Sequence, residues 1–171
     1  MGRIVLPTSG LIRAATLASV AAVDVDLSAD LTLDKTPTGG GTIVSLVARK
    51  IGSSEYRLRA YLRPTSKSLQ VMRVLNGTET TVVTVNLPGG GVTPGQVLHL
   101  RMLVAGTGTA ALSGKAWFDG DAQPATWQVQ AVDSTAALQQ PGGVGVHVYV
   151  SSSGNKSPMT VTTDNLLAVQ P

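Results

Sequence analysis

An all-β chain folded as an antiparallel β-sandwich, or jelly roll, of about ten to twelve strands is the architecture the sequence predicts, on three observations. Runs of strict two-residue alternation recur along the chain, Val23–Asp34 and Glu55–Arg63 being the cleanest, and this period sends successive side chains to opposite faces of a strand. Turn-forming residues, 19 Gly and 9 Pro among 171, fall between those runs, as closely spaced strands require. Only 13% of residues are charged, and no helical crossover pattern separates the strands, which excludes a parallel βαβ design.

The elements follow in order. Arg3–Leu6 and Leu11–Ala18 read as short strands around the turn Pro7-Thr8-Ser9-Gly10. From Val23 to Asp34, Val23, Val25, Leu27, Ala29, Leu31 and Leu33 share an apolar face. Asp24, Asp26, Asp30 and Asp34, four of the ten acidic residues, share the other. Pro37–Gly41 ends this strand, and Thr42–Lys50 follows with Val44, Leu46 and Ala48 inward. In Glu55–Arg63, Tyr56, Leu58, Ala60 and Leu62 point to the core, while Arg57, Arg59, Tyr61 and Arg63 form an outward stripe. Leu69–Leu75 and Thr80–Val85 flank Asn76-Gly77, a type I′ hairpin signal. Asn76-Gly77-Thr78 also fits a glycosylation pattern, although the turn explains Asn-Gly by itself.

The second half continues the pattern. Gln96–Val104 places Leu98, Leu100, Met102 and Val104 inside and His99 and Arg101 outside. Ala110–Phe118 places Leu112, Gly114, Ala116 and Phe118 inside, with Lys115 and Trp117 outside. Trp127, Val129 and Ala131 are expected inward, Asp133–Gln140 to hold one helical turn, and Val144–Val150 to show His147 and Tyr149 outward. Met159–Val169 closes the fold.

The chain reads as one domain, residues 1–171, large enough to bury roughly two-thirds of its unfolded surface. It has no cysteine, which removes disulfides and thiolate metal sites. A net charge of +3 without clustered basic and aromatic residues argues against nucleic-acid binding. No apolar run approaches the roughly 20 residues of a membrane span, so no membrane insertion is expected. Leu11–Val23 is apolar but flows into a strand pattern, so no export signal is visible; the chain is expected either to be cut from a longer secreted protein or to reach its place by assembly.

Trp117, Trp127, Ala131-Val132-Asp133-Ser134-Thr135, Pro141-Gly142-Gly143-Val144-Gly145-Val146, Val161-Thr162-Thr163-Asp164-Asn165-Leu166 and Ser54-Glu55-Tyr56-Arg57 resemble laminin-G-like modules of the concanavalin-A-like lectin and glucanase superfamily, over about residues 23–169. Similar modules occur in actinobacterial secreted proteins and in phage tail proteins. The resemblance implies a jelly roll with an extracellular, cell-surface or virion location. It departs at residues 1–22, which lack the usual Asp-x-Phe-x-Arg strand; a missing first strand would leave a sheet edge open.

An enzyme is not expected. Catalytic members of that superfamily carry a Glu-x-Asp-x-x-Glu strand, whereas this chain has only Glu55 and Glu79 in other contexts. There is no Gly-x-Ser-x-Gly elbow, and two histidines do not make a usual zinc set. Calcium is a candidate cofactor. Asp119-Gly120-Asp121 offers two carboxylates in a turn, and the resemblance adds Asp164 in the closing strand.

The binding expectation rests on parity. Trp117, Tyr61, His99 and Tyr149 are outward, and an outward aromatic is a platform for a sugar's apolar face while Arg57, Arg59 or Arg101 takes its hydroxyls. Burial by sheet curvature is the alternative for Trp117, and a structural role is expected for His147. Arg57, Arg59 and Arg63 either pair with the Asp24–Asp34 stripe or are free for a ligand. The expected function is a non-catalytic carbohydrate-binding or adhesion module for a polysaccharide or cell-surface glycan. The alternative is a structural virion component, a phage tail or head-surface protein whose sandwich makes homo-oligomer or virion-subunit contacts.

Overall fold

A computed structural model describes residues 1–171, the side chain of Ala18 excepted. Twelve strands and one 3-10 turn follow in the order β1 Gly2–Leu6, β2 Ile12–Ala22, β3 Val25–Leu33, β4 Thr42–Ile51, β5 Ser54–Leu62, β6 Lys67–Leu75, β7 Thr78–Leu87, β8 Val97–Ala105, β9 Ala110–Phe118, β10 Val129–Asp133, the turn at Ala136–Leu138, β11 Gly142–Val150 and β12 Met159–Val169. They form two six-stranded antiparallel sheets. The first has the order β1-β12-β3-β8-β9-β10 and the second β2-β11-β4-β5-β6-β7. The predicted sandwich is therefore present, with its expected helical turn between β10 and β11.

Alternation sets which residues meet between the sheets. Leu27, Leu31, Leu98 and Leu100 from the first sheet meet Leu46, Tyr56, Leu58 and Val146 from the second in one continuous core. Each such aliphatic side chain contributes roughly 1.5–3 kcal/mol on burial. Gly114, on the inner face of β9, is required by this packing: a Cβ there would stand 2.1 Å from Cδ1 of Leu58. Asn76 and Gly77 both take positive φ, 50° and 82°, as a type I′ turn between β6 and β7 demands.

One end of the sandwich is tied by Arg49, whose side chain is fully buried. Its Nε donates to the Val23 carbonyl at 2.7 Å, Nη1 to Leu138 at 3.0 Å and Nη2 to Gly106 at 2.5 Å. Three separate loops thus end on one guanidinium, whose planar fork suits diverging acceptors.

Two expectations are corrected. The front of the fold is not missing: β1 pairs with β12 and β2 with β11, so residues 1–22 supply an outer strand to each sheet. Trp127 is not in the core. It precedes β10 and lies under two outer-face cations, Lys115 Nζ at 4.9 Å and the Arg101 guanidinium at 5.6 Å from its ring centre, because the strand alternation begins only at Val129.

Candidate functional site

The predicted site residues divide between opposite faces of the molecule. Trp117, His99 and Arg101 lie on the outer face of the first sheet, on β9 and β8. Tyr61, Arg57, Arg59 and Tyr149 lie on the outer face of the second, on β5 and β11. No single ligand contact unites all seven.

On the first sheet the acidic stripe of β3 meets the cations of its neighbour β8. Asp30 pairs with His99 and Ser28 with Arg101 in register. His99 Nδ1 is 2.6 Å from Asp30 and its Nε2 3.0 Å from Asp119. Burial opposes charge on this imidazole, but hydrogen bonds and charges from Asp30 and Asp119 outweigh it and raise its pKa. Trp117 stacks on the same ring, centroids 5.1 Å apart. Arg101 makes a forked bond to Asp26, at 2.9 and 2.6 Å. A depression of about 330 Å³ runs past Asp26, Asp30, His99, Arg101 and Trp117. Its charged groups already have partners, and one face of Trp117 is taken.

The stripe of β5 is built differently. The acidic strand β3 belongs to the other sheet, yet the arginines are not free. Arg57 Nη1 and Arg59 Nη2 each donate to one oxygen of Glu79, both at 2.5 Å. Arg57 Nε also binds Glu55, which takes Lys50 Nζ at 2.8 Å. Burial of Glu79 opposes its ionisation, but hydrogen bonds and charge from Arg59 and Arg57 hold its carboxyl below the usual range. Glu79 is therefore not a proton donor near neutrality. The Arg63 guanidinium covers the Tyr61 ring at 4.4 Å.

Between these groups lies a depression of about 190 Å³ walled by Ile12, Ile43, Arg59, Glu79, His147 and Tyr149. A cross-strand row runs here, His147 on β11 opposite Ser45 on β4, and Ser45 opposite Arg59 on β5, with His147 and Arg59 on the groove wall and Ser45 beneath it. All three are at least nine-tenths buried. Among the described residues, five buried side-chain polar atoms have no partner, and three of them are in this row: His147 Nδ1, Ser45 Oγ and Arg59 Nε. Buried polar atoms are paired as a rule, so these three lie sealed beneath the groove and ordered water is their natural partner. Burial, then the Arg57 charge, pushes the His147 pKa down to about 4, and its imidazole is neutral at physiological pH.

Sequence reasoning did not put Ser45, His147 or Glu79 in a site. Two signals were present. His147 and Tyr149 are two apart on one strand face. The Asn76-Gly77 turn pairs Leu75 with Thr78 and so Val74 with Glu79, while Val74 also pairs with Glu55, which places Glu79 on the arginine face.

The aspartates considered for calcium have different surroundings. Asp119 binds His99, Asp121 lies near Lys67, and Asp164 lies 3.2 Å from the amine of Met1. Among the described residues no group of three or more His, Cys, Asp or Glu is arranged to hold a metal.

No protein-family profile and no curated protein sequence matches the chain. Solved structures do. The carbohydrate-binding module CBM66 of Bacillus subtilis superposes with a TM-score of 0.63 at 15% identity, over 94% of this chain and 83% of that one. The PL-14 alginate lyase of Aplysia kurodai gives 0.58 at 11% identity, over 99% and 82%. The CBM2 module of the evolved Dit protein of Lactobacillus casei BL23 phage J-1 gives 0.53 at 5%, over 89% and 66%. At these identities the likeness is one of fold, and the chain shares its two-sheet antiparallel sandwich with these proteins.

Proposed function

We propose that the chain is a non-catalytic carbohydrate-binding module that takes a polysaccharide or cell-surface glycan in the groove on the second sheet. The observation that carries this reading is the groove itself, which sets Tyr149 and the apolar Ile12 and Ile43 beside the polar side chains of Arg59, Glu79 and His147. Sugar recognition needs this combination, an aromatic or apolar wall for C–H faces and fixed donors and acceptors for hydroxyls. The fold shared with a carbohydrate-binding module and the laminin-G-like motifs support it. Neither glutamate is set for acid–base work, since both are held by cations. The module acts at a cell surface, outside the cell or on a virion.

A second reading is favoured by the phage Dit module, in which the sandwich is a virion component and its outer faces make subunit contacts. A glycan array read together with solution mass separates the two. A monomer with glycan hits supports the first reading, and a larger assembly with no hit supports the second.

A further inference from the structure

We infer that Arg57 and Arg59 form a carboxylate subsite which Glu79 fills in the free protein, and that the ligand is an acidic glycan whose uronate carboxylate replaces that of Glu79. The inference rests on the groove being the glycan site.

Three features lead to it. The first is geometry. One planar carboxylate spans two guanidiniums, one oxygen to each, at 2.5 Å, so both of its oxygens accept charge-assisted hydrogen bonds. The second is asymmetry of exposure. The two arginine side chains are 10% exposed, whereas Glu79 is 41% exposed on the edge strand β7. The arginines are fixed on the sheet face, and Glu79 reaches them over β6 from the rim. Rotating its side chain outward returns its charge to water, and the cost of uncovering the two buried guanidiniums is offset only when another carboxylate takes its place.

The third is charge. Lys50, Arg57 and Arg59 stand against Glu55 and Glu79, three cations to two anions. If Glu79 turns away, Arg57 keeps Glu55 and Arg59 is left without an anion. An incoming carboxylate therefore finds the Arg59 guanidinium on the groove wall, with neutral His147 beside it adding no competing charge. A neutral sugar gains nothing from displacing Glu79 and leaves Arg59 unpaired on the groove wall.

The test uses polygalacturonate, alginate and hyaluronan, each beside its carboxyl-reduced neutral counterpart, with dextran sulfate as a charge control, titrated into the wild-type chain, Glu79→Gln and Arg59→Gln. Expected are binding of at least one uronate polymer, loss of that binding on carboxyl reduction, roughly tenfold tighter binding by Glu79→Gln and loss in Arg59→Gln. Circular dichroism melts confirm that both variants are folded, and Glu79→Ala replaces Glu79→Gln if it is not. Equal or weaker binding by the Glu79 variants overturns the exchange. Equal binding of the reduced polymers, or of dextran sulfate, overturns carboxylate recognition but leaves glycan binding standing. Absence of binding to every glycan overturns both.

Discussion

His147 and Ser45 face each other across β11 and β4, and each carries a buried polar atom without a partner. His99, on the opposite sheet, has both ring nitrogens bound to carboxylates. The two histidines therefore respond to acid in opposite directions.

The folded pKa of His99 is raised, so its contribution to stability is fully present below the unfolded value of about 6.5 and is lost as pH rises through the folded pKa. His147, walled by Arg57, Arg59, Glu55 and Glu79, has a folded pKa of about 4. As pH falls from about 6.5 toward 4 the unfolded chain takes up a proton that the folded one refuses, and stability declines. Urea melts between about pH 4.5 and 8.5 are expected to show His99→Gln losing most at acid pH, and His147→Gln gaining there relative to wild type. Parallel pH profiles for both variants contradict the assignment.

Arg49→Met is expected to cost about 3–5 kcal/mol, because it strips the Val23, Leu138 and Gly106 carbonyls of a buried donor. Chemical denaturation measures it. A loss below about 1 kcal/mol shows that water replaces the guanidinium.

Gly114→Ala forces a methyl against Leu58 and is expected to destabilise by about 1–3 kcal/mol. Adding Leu58→Ala relieves the clash, so the double variant loses less than the sum of the two single losses. Additive losses contradict a direct contact.

Calcium is expected to leave the thermal midpoint unchanged, in the presence or absence of chelator. Any ion at Asp119 competes with His99, and Asp164 lies against the Met1 amine. A rise in midpoint with added calcium contradicts this.

The fold was largely legible because each strand buries one face, and a period of two leaves little choice of orientation. In Val25–Leu33 every odd residue is buried and every even one half-exposed. What alternation does not carry is strand order. Arg57 and Asp26 are both outward, yet they stand on opposite sides of the molecule, so the seven candidate residues read as one site are two groups. Arg57 and Arg59 are outward and still buried, because Glu79 and neighbouring side chains close over them. Trp127 misled for the opposite reason: its parity matches Val129, but it lies before the strand begins.

The central claim is that glycan binds on the second sheet through Arg59 and not on the first through Trp117. Calorimetric titration of the strongest array hit into Arg59→Gln and Trp117→Ala tests it most directly. The account predicts a loss of roughly tenfold or more for Arg59→Gln and less than about twofold for Trp117→Ala; full affinity in Arg59→Gln with loss in Trp117→Ala contradicts it.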